Sequence, residues 1–427
     1  MNTIDAKPHP PINFFAIFFG NIFEHYDKSL YGLLAPFIAV LFFPKADLLT
    51  ILAIAYFPFG LIFRPLGALF FGVIGDIFGR KKALSVSMLG ISVTTALLGL
   101  LPTYEQIGTL SPIFLALLRG SIGFFAAGEQ TGAPLLLLEN IPSKRKELWS
   151  SLYESSSVLG TLLAICITLF LVTTGNVERF WRLPFLAGSL LSLCTFFARQ
   201  KGSEWFLGIK PEKLKPSFAA VKSALPAFFG ITFVTGFSCA NYEAATLLMN
   251  VMLPQMGFST PVQCLGLHAL LILFDMLLLP LFGLLAVRIG KERLMLSALF
   301  LAMGSLFPLF YALSKGSLLA LITTRSLLIL FGVAFAAPYQ LWVSEASAPN
   351  YRYTLVSLGK AFGAQAIGAP ILSLALFGYG QSASKTIIYL VPAYLFGSAF
   401  FASLSILYFW KRNRNKRSDP QADACSV

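Results

Sequence analysis

The sequence predicts an all-α membrane protein of twelve transmembrane helices, arranged as two pseudo-symmetric six-helix bundles. Three observations predict it. Of 427 residues, 56% are hydrophobic and only 12% charged, about half the charged share of an ordinary soluble domain. Apolar stretches recur roughly every 30 residues, and each is near the ~20 residues a helix needs to cross a bilayer. Several residues of the first half also recur in the second at nearly constant offset. Helix is the expected form, because hydrocarbon cannot satisfy open backbone groups and the alternation of barrel strands is missing.

The spans are predicted near 14–42, 49–73, 83–101, 112–138, 149–173, 180–198, 223–252, 262–287, 294–313, 317–344, 354–377 and 386–410. The first follows Asp5 with no small-x-small cleavage site close behind, so it is read as a retained span rather than a signal peptide. Breaks after even-numbered spans are basic: Arg80, Lys81 and Lys82; Lys144, Arg145 and Lys146; Arg288, Lys291 and Arg293; Arg352. The other breaks hold only Lys45, Arg179, Arg182, Lys315 and Lys385. This bias predicts that the base-rich face and both termini are cytoplasmic, in a cell membrane of the bacterial inner-membrane type. The polar stretch RQKGSEWFLGIKPEKLKP divides the chain. The expected units are bundle 1–198, linker 199–222, bundle 223–410 and basic tail 411–427.

The net charge of +13 is accounted for by topology, so no nucleic-acid partner is expected. Five cysteines without a CxxC and three scattered histidines indicate neither a disulfide framework nor a metal site. No GxxxxGK[ST] motif is present, so nothing suggests ATP as the energy source. No enzyme constellation is found either.

Gly72, Gly79 and Leu84 recur as Gly283, Gly290 and Met295, an offset of 211. Arg119 and Glu139 recur as Arg325 and Glu345, an offset of 206. Such recurrence indicates duplication, the build of alternating-access transporters. Within GDIFGRKK (75–82), Asp76 sits at the end of its own helix, where the dipole disfavours an anion. It therefore needs a guanidinium or the N-terminus of a neighbouring helix. Gly72 and Gly75 allow close helix approach, and Gly79 a tight turn. These residues, with Arg80, Lys81 and the groups Glu139–Arg145 and Glu345–Arg352, are the expected conformational latch. Val287 stands where an equivalent of Asp76 would be, so the latch is expected to be one-sided.

The chain resembles the major facilitator superfamily, and within it the metabolite:proton symporters that include proline/betaine, 2-oxoglutarate, citrate and shikimate permeases. The residues that carry the resemblance are GNIFEHYDKSLYG (20–32), FRPLGALFFGVIGDIFGRKKAL (63–84), Arg119 with GFFAAGE (123–129), FWRLPFLAG (180–188), and Glu345 with PNYRYT (349–354). The resemblance implies import of a small organic solute driven by the proton gradient, without a cofactor, by a chain expected to be monomeric. A proline- or betaine-type osmolyte is favoured by analogy, and a 2-oxoglutarate-like organic acid is the alternative. A transporter-like sensor without net flux is the reading of another class. Lys28 after Asp27, Ile122, Ala127 and Val287 depart from the family pattern.

Ionisable residues at membrane depth are costly and mark paired or functional groups. Counting at 1.5 Å per residue puts Glu24, Asp27, Arg64, Glu129 and Asp275 near one level. Asp27, Glu24 and Glu129 are candidates for proton coupling. Arg64, Arg119, Lys28, Tyr26, Tyr31 and Asp275 are candidates for solute binding or charge pairing. Arg64 is expected to pair with Glu24 or Asp27, or simply to lock the first two spans. Arg325 is read as an interhelical clamp, Lys360 as a structural partner near the latch, and His25 as facing away from Glu24.

Overall fold

The computed structural model describes residues 14–44, 59–200, 218–247, 260–347 and 351–418. The long helices are α1 (Phe14–Phe42), α2 (Phe59–Ile77), α3 (Arg80–Gly99), α4 (Leu110–Glu139), α5 (Lys146–Thr173), α6 (Arg182–Gln200), α7 (Phe218–Leu247), α8 (Pro261–Ile289), α9 (Lys291–Leu313) and α10 (Leu318–Ala336). They continue as α11 (Tyr339–Ala346), α12 (Arg352–Phe362) and α13 (Pro370–Ser418). Among the described residues there is no strand, and nine helices are long and apolar enough to cross a membrane. The outer parts of the second and seventh predicted spans and most of the linker lie outside the described residues.

Local chemistry sets the boundaries. Gly79, with φ 94 and ψ 150, turns α2 into α3. Gly290, with φ 92 and ψ 142, turns α8 into α9. Both angles favour glycine, so the recurrence seen in sequence is also a recurrence of backbone shape. Thr260 caps α8, its Oγ1 accepting from the Gln263 amide at 3.3 Å, with Pro261 in the first turn. The tenth span is split at Ala337 and Pro338 into α10 and α11, as expected where proline removes an amide donor. A six-residue π segment, Gly363–Gly368, separates α12 from α13.

Residues 370–418 carry helical backbone throughout, where the sequence predicts a break between 377 and 386. Yet Tyr394 Oη donates to the Ile367 carbonyl at 2.7 Å. A straight helix would hold those residues roughly 40 Å apart. The run therefore doubles back, and its two ends pack as separate spans. Ile371, Val391 and Leu395 share one core cluster.

The two halves meet through α2 against α12 and α5 against α8, pairs related by the duplication. One apolar cluster joins Phe71, Ala83 and Leu135 to Ile231, Phe237, Phe335 and Tyr353 across this seam. Other clusters lie within a half: Leu30, Leu34, Phe42, Trp181 and Phe185 in the first, Leu306, Phe310, Leu321 and Leu328 in the second. Large apolar side chains such as Leu183, Leu190, Leu277, Leu281, Phe400 and Leu404 point outward, the surface that lipid covers in a bundle of this composition.

Candidate functional site

The middle of the molecule holds two rows of polar side chains. In the first, Glu24 of α1 accepts from Gln130 Nε2 at 2.7 Å, and Gln130 Oε1 accepts from Arg64. Arg64 therefore reaches Glu24 through an amide, instead of by the direct pairing expected from sequence. His25 Nδ1 stands 2.7 Å from a Glu24 oxygen, although adjacent residues on a helix are 100° apart and the sequence places His25 on another face. The pairing is possible because both side chains are long enough to bend toward one another. In the second row, Lys360 Nζ donates to Gln340 Oε1 at 2.6 Å, and Gln340 Nε2 donates to Glu154 Oε1 at 2.5 Å. Lys360 also donates to the Gln130 carbonyl at 3.0 Å, which ties the rows together across the two halves. It lies eight residues into α12 from Arg352, roughly 12 Å above that end. That is about two turns into the helix, the depth counted from the sequence, and its partners are Gln340 and the Gln130 carbonyl rather than a latch residue. Lys28 is exposed on α1, and Lys28, Arg64, Glu154 and Glu243 are all within electrostatic reach of Cys239 on α7.

Asp27 turns away from this layer. It is i+3 from Glu24, which leaves the two side chains about 60° apart around the helix. Its Oδ2 accepts from Thr95 Oγ1 of α3 at 2.5 Å, and it is 2% exposed. Oδ1 has no hydrogen-bond partner among the described residues. A Cβ added at Gly188 of α6 would lie 2.9 Å from that oxygen. Arg119 is within electrostatic reach of Asp27, and its guanidinium lies 3.9 Å from the Tyr31 ring centroid. Tyr26 Oη donates to the Pro184 carbonyl at 3.1 Å. The expected cluster of Glu24, Asp27 and Arg64 is thus two sites on one helix: Glu24 with Arg64 through Gln130, and Asp27 with Thr95 beside Arg119.

Two other acids are closed into ion pairs. Glu129 is fully buried and takes two bonds from Arg199, at 2.5 and 2.6 Å. Arg199 also donates to the Ala16 carbonyl, so it fastens α6 to α1 and α4. The sequence assigns Arg199 to the linker, but it lies in the last turn of α6. Asp275 takes two bonds from Arg325, at 3.0 and 2.6 Å, joining α8 to α10. Both residues of that pair belong to the second half.

At the base-rich face, Asp76 caps the neighbouring helix across the seam. The Tyr353 and Thr354 amides donate to it at 3.1 and 2.9 Å, and the Thr354 hydroxyl at 2.7 Å. These amides open α12, where an anion is favoured. The seam is tight: a Cβ at Gly72 would lie 2.7 Å from Thr354 Cα, and one at Gly75 2.5 Å from the Tyr353 ring. Glu139 accepts from Arg352 at 3.1 Å and pairs with Arg80. Lys81 lies in the first turn of α3. Glu345 pairs with Lys291 at 2.9 Å. The expected groupings of Glu139 with Arg145 and Glu345 with Arg352 are therefore replaced. Arg145 is exposed on a short 3-10 turn, and Arg352 crosses to the other half.

Gln130, Glu154, Gln340 and Arg199 were missed by sequence reasoning. Glu154 was findable, as an acid inside a span. The glutamines carry no charge and give no such signal. Among the described residues no His, Cys, Asp and Glu group has the makings of a metal site.

A family model described as Major Facilitator Superfamily matches residues 17–368. The chain is 29% identical over 384 residues to the shikimate transporter of Escherichia coli K12, covering 85% of this chain and 86% of that one. It is 30% identical over 315 residues to a putative proline/betaine transporter of Staphylococcus aureus COL, covering 69% and 66% respectively. The solved proton:xylose symporter XylE superposes with a TM-score of 0.69 over 93% of this chain and 94% of its own, at 14% identity.

Proposed function

The chain belongs to the major facilitator superfamily and is a multi-pass membrane transporter rather than an enzyme, and from that premise we propose that it couples entry of a small organic solute to entry of protons. The carrying observation is Asp27: a buried carboxylate with one hydroxyl donor, one open oxygen and Arg119 nearby. An ion so placed is costly unless a countercharge or water compensates it. A proton taken up at Asp27 removes that cost and releases Arg119. A proton lost restores the attraction between them. Access and charge are thereby linked, and no cofactor is required. We place solute in the layer between the halves, where Arg64, Lys28, Lys360, Glu24 and Glu154 gather. The base-rich face is read as cytoplasmic, so the closed latch there describes a transporter shut on its inner side. The working unit is taken as a monomer in a bacterial inner membrane.

A proline- or betaine-type osmolyte suits a layer holding both signs of charge. A second reading, an organic acid, is favoured by the shikimate relative with its longer alignment. Proteoliposome uptake of proline, betaine, 2-oxoglutarate and shikimate under an imposed pH step tests both. One solute should accumulate, and a protonophore should abolish accumulation. Asp27→Asn should abolish uphill uptake while solute exchange persists. Full uphill uptake by that variant would remove Asp27 from the proton path.

A further inference from the structure

Glu154 of α5 and Lys360 of α12 are 206 residues apart, the offset that also relates Arg119 to Arg325 and Glu139 to Glu345. The duplication therefore sets them at matching points of the two halves, with opposite charge. They are joined through the side-chain amide of Gln340. Its oxygen accepts from Lys360 at 2.6 Å and its nitrogen donates to Glu154 at 2.5 Å. Gln340 is only 8% exposed, and Tyr339 beside it presents its ring to Lys360 Nζ at 5.6 Å from the centroid. Arg64, bonded to Gln130, is a second cation at this level.

An amide held between a cation and an anion is a neutral object in a place built for a charged one. Its oxygen occupies the position of an acceptor facing an ammonium. Its nitrogen occupies that of a donor facing a carboxylate. We propose that Glu154, Gln340 and Lys360 form the binding site of an α-amino or α-imino acid zwitterion, with Gln340 holding the solute's place until it arrives. Lys360 of one half takes the solute carboxylate, and Glu154 of the other half takes an N–H of its ammonium. Gln340 swings aside. The geometry suits this class because the carboxylate oxygen and the nitrogen of an α-amino acid are separated by little more than the oxygen and nitrogen of an amide. The full charges of the solute make stronger bonds with both ends than a neutral amide does.

The same chemistry ranks other solutes. A quaternary ammonium has no N–H, so it leaves the Glu154 oxygen without a donor, although it keeps the attraction of opposite charges. A dicarboxylate sets a second anion against Glu154. Because the two ends of the site belong to different halves, a bound zwitterion also draws the halves together around itself. This assignment rests on the transporter reading above and adds the solute class and its orientation.

The test is equilibrium binding by titration calorimetry to the purified full chain in nanodiscs, with proline, betaine and 2-oxoglutarate as probes. Proline is expected to bind at least tenfold more tightly than betaine, with 2-oxoglutarate weaker still. Glu154→Gln should weaken proline tenfold or more and betaine clearly less, because betaine loses only the attraction of charges and no hydrogen bond. Lys360→Met should weaken both tenfold or more, and Lys360→Arg should recover part of the loss. Gln340→Ala should leave proline binding intact or tighten it, since the competing amide is gone. Thermal unfolding and size-exclusion profiles identify any variant that fails to fold, and Lys360→Gln then replaces Lys360→Met. Proline affinity unchanged in both Glu154→Gln and Lys360→Met would overturn the site. Betaine or 2-oxoglutarate matching proline, or no proline binding at all, would overturn the solute class. Proton-driven uptake of such a solute into proteoliposomes would then leave the transporter reading standing while this assignment falls.

Discussion

Replacing Asp76 with asparagine should open the base-rich face. Asp76 gives one oxygen to the Tyr353 amide and the other to the amide and hydroxyl of Thr354. Asparagine keeps one acceptor and turns a donor toward groups that are themselves mostly donors. At least one charge-assisted bond is lost, worth about 1.5–3 kcal/mol, along with the attraction to the α12 N-terminus, about 0.3–1 kcal/mol when partly exposed. Asp76 is only half-buried, so we take about 2–3 kcal/mol, roughly a 30- to 150-fold shift from closed toward open. The assay is the distance distribution between spin labels at Lys82→Cys on α3 and Arg293→Cys on α9, in a chain whose native cysteines are replaced. Both positions are exposed at the start of their helices, one in each half. A longer-distance population should appear or grow in Asp76→Asn. Adding Thr354→Val should open the face further, because it removes a second donor from the oxygen that asparagine keeps. An unchanged distribution in Asp76→Asn would refute the claim that this carboxylate holds the two halves shut.

Arg199→Met strips the countercharge from a fully buried Glu129 and should cost about 3–5 kcal/mol. It should appear as a loss of folded, monodisperse protein, which Glu129→Leu in the same chain largely reverses. Arg325→Met should behave likewise and be rescued by Asp275→Leu, because that pair is buried to the same degree. Val287→Asp should deepen closure in the same spin-label assay. Gly283, one turn before it, packs on Leu148 and Ser151 near the start of α5, so a carboxylate at 287 would repeat the Asp76 contact on the other side of the seam.

The fold was legible because its signals are long and redundant: apolar spans, basic breaks and glycines that recur with the same backbone angles at Gly79 and Gly290. The partner of Asp76 was legible in kind for a physical reason. An anion at the C-terminal end of its own helix must be compensated from outside, and a helix N-terminus was among the candidates. The central rows were not legible. Depth along a helix can be counted, but the direction of a side chain around the bundle cannot. Glu24, Asp27 and Arg64 share a level yet answer to different neighbours. The missing links were uncharged. Gln130 and Gln340 join the charges in pairs that hydropathy and charge counting do not register. Arg199 was misplaced because a base near a break reads as a topology signal even when its guanidinium folds back into the bundle.

Burial divides the ion pairs of this chain into two kinds. Arg199 with Glu129 and Arg325 with Asp275 have side chains at most 6% exposed, and each joins helices of a single half. Opening such a pair within a dry bundle would leave two uncompensated charges, a cost of several kcal/mol per ion. They are fixed points. Arg80 and Arg352 with Glu139, and Lys291 with Glu345, have side chains 14–45% exposed and lie at one face of the molecule. Water can take over either partner there, so exchanging such a bond costs about 1 kcal/mol or less. A molecule that must keep each half intact while the halves move against one another needs this division. The deeply buried pairs each stay within one half, and the ion pair that joins the halves, Arg352 with Glu139, lies where water can reach it. Glu139 shows the principle at one residue. It is held by Arg80 of its own half and by Arg352 of the other, so when the seam parts it gives up one partner and keeps the second, and its charge never lacks a countercharge.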